Sequence, residues 1–136
     1  MALEWVPAAD RPDLLAEPTA KAVAAKGIDA KVAPIDPELA DTAAFCAHYG
    51  VAPEDSANCV IVAAKRGGQT RSAAVMVLAS HRADINGVVR RHLEARKASF
   101  APHDEAVSLT GMEYGGITPI GLPEDWPVLV DENVTR

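Results

Sequence analysis

Thirteen residues, 111–123, constrain the fold of this chain more than any other stretch: Gly-Met-Glu-Tyr-Gly-Gly-Ile-Thr-Pro-Ile-Gly-Leu-Pro. They contain four of the nine glycines and two of the ten prolines. Glycine adopts backbone conformations that are closed to other residues, and proline fixes φ and removes an N–H donor. Because neither a helix nor a central strand tolerates that density, residues 111–123 are predicted to form a shaped loop.

The paired glycines Gly115 and Gly116 indicate what such a loop can do. Two successive glycines let neighbouring N–H groups converge on one point and form an anion-binding nest. Pro119 and Pro123 would stiffen the loop and keep those donors aimed. A plain connector has the same composition, so the spacing alone leaves both interpretations open.

The loop and its flanks resemble a known family. Gly-Gly-Ile-Thr-Pro-Ile-Gly, preceded by Leu-Thr-Gly and followed by Trp-Pro-Val-Leu-Val-Asp, is similar to the YbaK-type aminoacyl-tRNA deacylases. These proteins share a fold with the editing domain inserted in bacterial prolyl-tRNA synthetases. The resemblance is collinear from about Glu17 to Asp131 and is sharp from Asn58 onward. It implies a free-standing hydrolase that removes a wrong amino acid from a tRNA.

The resemblance also implies a mechanism and a set of site residues. Family members are thought to use no protein nucleophile: backbone N–H groups of a glycine-x-x-x-proline loop hold the ester, and a hydroxyl or water attacks. Fixed donors of this kind stabilise the charge that develops in the transition state. The implied catalytic residues are Gly115, Gly116 and Ile117 as donors, together with Asn58 and Asp131. The implied substrate-binding residues are Gly111, Tyr114, Thr118 and Pro119.

Asp131 and Asn58 each carry an open alternative. Asp131 matches a family aspartate that would contact the substrate amine or order water, although an Asp after a strand is also a common turn cap. Asn58 stands where the family has a lysine considered important for activity. Lys65 cannot replace it, because seven strand residues place it about 23 Å away. The pocket is therefore expected to bind a different aminoacyl group, to act slowly, or to bind without hydrolysing.

Length and composition predict one domain over residues 1–136, and the mixture of predicted hairpins and helices makes it α+β. A chain of 136 residues with 49% hydrophobic and 24% charged residues has enough apolar content for a globular core. No apolar run approaches the ~20 residues of a membrane span, and no secretory leader is visible. We expect a cytoplasmic protein with reduced cysteines, no metal and no cofactor. The resemblance further implies that the family's C-terminal strand and helix, beyond Asp131, are lacking.

The charge distribution indicates a partner. The net charge is −6, which alone argues against nucleic acid, yet residues 65–97 carry +6 and the remainder carries −12. A basic band on an acidic body fits docking of one phosphate backbone, although a solvated surface has the same pattern. With the resemblance, the implied partners are the acceptor end of an aminoacyl-tRNA and an aminoacyl-tRNA synthetase. The predicted tRNA-binding residues are Arg82, Arg90, Arg91, Arg96 and Lys97.

Local patterns predict the order of elements. Helices are expected over 18–26, within 38–49, over 87–96 with Val88, Val89 and Leu93 as an apolar stripe, and from Pro102 to Gly111. Strands are expected over 29–35, 58–64, 71–79, 98–100 and 128–130, with 58–79 forming a β-hairpin. Hairpins mixed with helices favour a mainly antiparallel sheet. The resemblance sharpens this to a curved, partly closed, barrel-like sheet flanked by helices.

The sequence leaves three functions open. The first is a deacylase acting in trans on mischarged tRNA. The second is a non-catalytic module that binds tRNA or aminoacyl-adenosine, because Asn58 replaces the lysine. The third is an α+β domain with an unrelated small-molecule ligand.

Overall fold

A computed structural model describes residues 3–39, 42–112 and 117–135. The helices are α1 (Glu17–Lys26), α2 (Thr42–Tyr49), α3 (Arg90–His92), which continues a π-helical turn (Ile85–Val89), and α4 (His103–Thr110). The strands are β1 (Val6–Pro7), β2 (Lys31–Val32), β3 (Ala57–Arg66), β4 (Gln69–Leu78), β5 (Lys97–Phe100) and β6 (Val128–Val130). None of the described helices is long and apolar enough to cross a bilayer. The α+β class is confirmed.

The main sheet has the strand order β5-β3-β4-β6. β3 pairs antiparallel with both β4 and β5, whereas β6 runs parallel to β4. β1 and β2 form a separate two-stranded sheet. In the described residues the main sheet is open, with β5 and β6 at its edges, so the barrel-like closure implied by the resemblance is not confirmed.

The hairpin organises the core because its side chains alternate between two covered faces. On one face, Val62 and Val75 pack with Ile85 and Val89 of the π-helical turn. We call this the π-turn face. On the other, Ile61 and Ala74 pack with α4 and with side chains of the 117–126 segment. We call this the loop face.

Most predicted elements are confirmed, with three differences. The strand predicted over 29–35 shrinks to Lys31–Val32, which pairs with β1. The helix predicted over 87–96 begins at Ile85, because the Asp84 side chain accepts a hydrogen bond from the Val88 N–H, and it ends at His92. Val88, predicted to belong to the apolar stripe, is 46% exposed.

Candidate functional site

The N-terminal end of the glycine loop is fixed by the end of α4. Gly111 follows the helix with φ of 68°, a left-handed conformation that glycine adopts without a Cβ penalty, and its N–H donates to the Val107 carbonyl. Met112 is then buried to 1% exposure. Its sulfur accepts the Thr118 N–H at 3.4 Å, which links the two sides of the loop. Gly111 therefore turns the chain out of α4 and into the loop, and its contact with substrate stays a prediction.

The C-terminal half of the loop lies against the first turn of α1. The Thr19 hydroxyl donates to the Ile120 carbonyl at 2.9 Å, and Thr19 is 5% exposed. Gly121 has φ of 99°, and a Cβ built there would lie 2.6 Å from the backbone carbon and oxygen of Pro18. Two backbone segments therefore approach each other closely at a point where only glycine fits.

Hydrogen bonds within the loop limit which N–H groups remain for a ligand. The Thr118 N–H donates to Met112, the Ile120 N–H donates to the Thr118 hydroxyl at 3.4 Å, and Pro119 has none. Three predicted site residues, Tyr114, Gly115 and Gly116, lie outside the described residues. Ile117 is described, and its side chain packs on the loop face against the cluster of Ile61, Ala74 and Ala106.

Asn58 and Asp131 lie on the π-turn face, opposite to the side chain of Ile117. Asn58 pairs with Val77 across the hairpin. The Asp131 N–H donates to the Met76 carbonyl, which places Asp131 at the adjacent position beyond β6. Two strand spacings put the Asn58 and Asp131 backbones about 10 Å apart. The structure thus groups these two residues at one end of the sheet, and it does not group their side chains with that of Ile117.

Each of the two polar residues borders its own cavity. Asn58 lines a cavity of about 640 Å³ whose walls include Cys46 and Ala47 of α2. Asp131 lines a groove of about 390 Å³ that has an apolar floor and a charged rim. Val75, Val77, Val89 and Leu129 belong to the floor, and Arg82, His92, Asp131 and Glu132 to the rim. An apolar floor with few polar groups is typical of small-molecule sites.

The cysteines are not poised as nucleophiles. Burial raises the pKa of the Cys59 thiol to about 11, so it stays protonated at neutral pH. Cys46 is buried in α2, and both cysteines are free thiols. Among the described residues no group of three or more His, Cys, Asp or Glu side chains is placed to hold a metal ion.

The predicted tRNA-binding residues differ in how available they are. Arg82, Arg91, Arg96 and Lys97 are exposed. Arg90 is half-buried: its Nε donates to the Asn86 carbonyl at 2.9 Å and its Nη1 to the Ala95 carbonyl at 3.5 Å. Its guanidinium is therefore engaged by carbonyls before and after α3 and is less available to a phosphate than its exposed neighbours.

Sequence reasoning missed the residues that hold the loop from outside it. Thr19, Pro18 and Met112 carry no motif, and a Pro-Thr pair at a helix start is ordinary. Gly121 did carry a signal, since a lone glycine between apolar residues often marks a close backbone approach. Its partner on α1 could not be found from the sequence, because the two lie about a hundred positions apart.

Comparison with known proteins adds two findings. The family model described as the aminoacyl-tRNA editing domain matches residues 36–136. The chain is also similar to a solved structure described as "Crystal structure of hypothetical protein APE2540", with 25% sequence identity and a TM-score of 0.68. That similarity covers 85% of this chain and 73% of the other. No curated protein matches the chain in sequence.

Proposed function

We propose a function on the premise that this chain belongs to the aminoacyl-tRNA editing domain family, whose model spans residues 36–136. It is a deacylase that acts in trans on mischarged tRNA and hydrolyses the ester between the amino acid and the terminal adenosine. The observation that carries the proposal is the anchoring of the Gly/Pro loop on both sides, at Met112 and at Gly121. A loop held in this way can keep backbone donors aimed without relying on its own side chains.

The oxyanion donors are the backbone N–H groups of Gly115, Gly116 and Ile117. This assignment is supported by the use of the Thr118 and Ile120 N–H groups inside the loop. Donors that are fixed before the reaction stabilise the charge developing on the ester oxygen, and one such donor is typically worth ~10²–10³ in rate. Tyr114, Thr118 and Pro119 border the bound ester, and Pro119 also limits backbone motion.

Asn58 and Asp131 bind the aminoacyl group from the π-turn face. The Asp131 carboxylate holds the substrate ammonium or orders the attacking water, and the Asn58 amide supplies hydrogen bonds where the family has a cation. A curved, partly closed sheet belongs to the same proposal, because a sheet that curls at this end brings the loop tip towards both residues. The absence of a protein nucleophile is supported by the protonated state of Cys59.

The tRNA docks on the exposed cations of segment 65–97. Arg82, Arg91, Arg96 and Lys97 contact phosphates, and Arg90 helps by holding the helical turn from which Arg91 projects. Phosphate contacts of this kind provide affinity without sequence preference. The protein acts in the cytoplasm, where charged tRNA is found, alone or with a synthetase.

A deacylation assay with a panel of mischarged tRNAs tests the proposal. The wild-type chain is expected to release at least one amino acid. Gly116→Val should lower that rate by ~10²–10³ while leaving tRNA affinity and the melting temperature near wild type. A Gly116→Val protein that hydrolyses normally would remove the loop from the mechanism.

Asn58 favours one alternative, a non-catalytic module that binds aminoacyl-tRNA and does not hydrolyse it. Asn58→Lys separates the two functions. If the lysine of the family fixes the substrate, this variant gains deacylation or changes the preferred amino acid. If the wild-type chain and Asn58→Lys both bind tRNA and neither releases an amino acid, the module is the correct function.

A further inference from the structure

α1 lies outside the part of the chain that matches the family model, yet it contacts the glycine loop at several points. The helix spans Glu17–Lys26, whereas the match begins at residue 36. Its first turn meets both sides of the loop, and its last residue reaches the segment beyond it. One element therefore touches the loop where it begins and where it ends.

The central contact is the hydroxyl of Thr19. It donates to the Ile120 carbonyl at 2.9 Å and lies 3.9 Å from the Met112 sulfur. Met112 in turn accepts the Thr118 N–H. Thr19 and Met112 are 5% and 1% exposed, so water does not readily replace either partner. A single hydroxyl thus connects α1 with both sides of the loop, at Met112 and at Ile120.

Pro18 adds steric contacts on both sides of the same loop. A Cβ at Gly121 would lie 2.6 Å from the Pro18 carbonyl, and a Cβ at Gly111 would lie 3.2 Å from Pro18 Cγ. The loop backbone is therefore seated against the first turn of α1 at both ends. Lys26 and Glu124 pair at 3.7 Å further along, but both side chains are more than half exposed, so this pair contributes little.

We propose that Thr19, in the first turn of α1, is a positioning residue whose hydroxyl braces the oxyanion loop. The inference rests on the proposed deacylase function. Thr19 touches no substrate: it acts through Ile120 and Met112, which fix the two ends of the donor segment. Removing the hydroxyl leaves the carbonyl of the half-buried Ile120 without that partner, and the loop shifts to find another. A shift of about 1 Å in catalytic groups is enough to cost ~10²-fold in rate.

The test compares Thr19→Val with Thr19→Ser and with Val23→Ala. Valine keeps the shape of threonine and removes the hydroxyl, whereas serine keeps the hydroxyl. Val23 is 4% exposed on the same helix, so its truncation loosens α1 through apolar packing alone. Two readouts are needed: kcat and KM for the mischarged tRNA that the wild type hydrolyses fastest, and hydrogen exchange of the peptide covering residues 111–123.

We expect Thr19→Val to lower kcat about tenfold or more with KM within about twofold, and to speed exchange in the 111–123 peptide. Thr19→Ser should restore both values. Val23→Ala should lower the melting temperature by a few degrees without either change. Equal losses of kcat in Thr19→Val and Val23→Ala would overturn the proposal, because a general weakening of α1 would then explain them.

Hydrogen exchange separates this inference from the proposed function. If the wild-type chain hydrolyses no member of the panel, the deacylase proposal fails, and exchange alone decides whether Thr19 positions the loop. Faster exchange over 111–123 in Thr19→Val only would support the brace. Unchanged exchange in that variant would overturn it, whatever the activity.

Discussion

The two faces of the hairpin are covered in different physical ways. On the π-turn face, Ile85 and Val89 insert apolar side chains against Val62 and Val75. On the loop face, side chains of the 117–126 segment also pack on the sheet, but the segment itself is held by a backbone contact at Gly121 and by the hydroxyl of Thr19. Apolar packing tolerates exchange of one side chain for another of similar volume. A backbone contact that requires the absence of a Cβ has no such substitute.

This contrast fits the proposed role of the loop. A cover made of side chains stabilises the fold but aims no particular backbone group. A loop whose backbone is fixed at a few points holds its N–H groups in defined directions, as an oxyanion site requires. We therefore expect substitutions in the apolar core of the π-turn face to change stability alone, and those at the anchors of the loop to change activity as well as stability.

The largest effect should come from Gly121→Ala. The new Cβ meets the Pro18 backbone at 2.6 Å and the residue must keep φ of 99°, which together should cost roughly 3–5 kcal/mol of unfolding free energy. Gly27→Ala is the matched control, because its φ is 61° and nothing lies within 4 Å of its Cβ. It should cost about 1–2 kcal/mol. Urea unfolding of both variants measures the difference. Equal losses of unfolding free energy would show that the Gly121 backbone does not lie this close to Pro18.

A smaller effect, confined to stability, is expected from Val62→Ala on the π-turn face. Val62 is 0% exposed, and removing two methyl groups should cost roughly 2 kcal/mol. At a temperature well below its melting point, the variant should deacylate tRNA at the wild-type rate. A fall in kcat without a fall in the folded fraction would break the proposed division between the two faces.

Two neighbouring arginines on the helix that covers the π-turn face differ in exposure, and we expect their substitution to have different effects. Arg91 is exposed, so Arg91→Glu should lower the salt dependence of tRNA binding by about one phosphate contact and leave stability unchanged. Arg90→Glu should also lower the melting temperature, because Arg90 caps the Asn86 and Ala95 carbonyls. Binding measured across salt concentrations, beside thermal melts, distinguishes the two. Identical behaviour would mean that Arg90 has no structural role.

The smallest effect concerns Cys59 on the loop face. Burial raises its pKa from 9.0 to about 11. Because the unfolded chain releases this proton near pH 9, the contribution of the thiol to stability is complete below pH 9 and is lost as pH rises through 11. At pH 8 alkylation of the folded protein should be slow, and Cys59→Ala should retain deacylation. Rapid alkylation at pH 8, or an inactive Cys59→Ala protein that still folds, would instead make Cys59 a candidate nucleophile.

The hairpin and the helix ends could be predicted because their determinants are local. Gly67 and Gly68 mark the turn between the two longest strands, which pair in register up to Arg66 and Gln69. Gly27 and Gly111 end α1 and α4 in left-handed conformations, as their positions after the helices indicated. In each case the signal and the structure lie within a few residues of each other.

Pairings across long separations were not predictable. Three residues, Val-Leu-Val, predict a strand at 128–130 but contain no information on whether it runs parallel or antiparallel to its neighbour. The inward turn of Arg90 depends on where its short helix ends. The anchoring of the loop depends on Thr19, whose partner is 101 positions away. The sequence therefore predicted the loop as an element, and the structure was needed to find what holds it.

The separation between Thr19 and Ile120 also bears on synthesis of the chain. At about 5–20 residues per second, a ribosome needs roughly 5–20 s to make the 101 residues between them. During that time α1 has been made but its partner has not, and a contact this distant in sequence is also among the slowest to close. We expect the loop to take its final shape after the hairpin has folded, because its anchor on Thr19 can form only once residue 120 has been made.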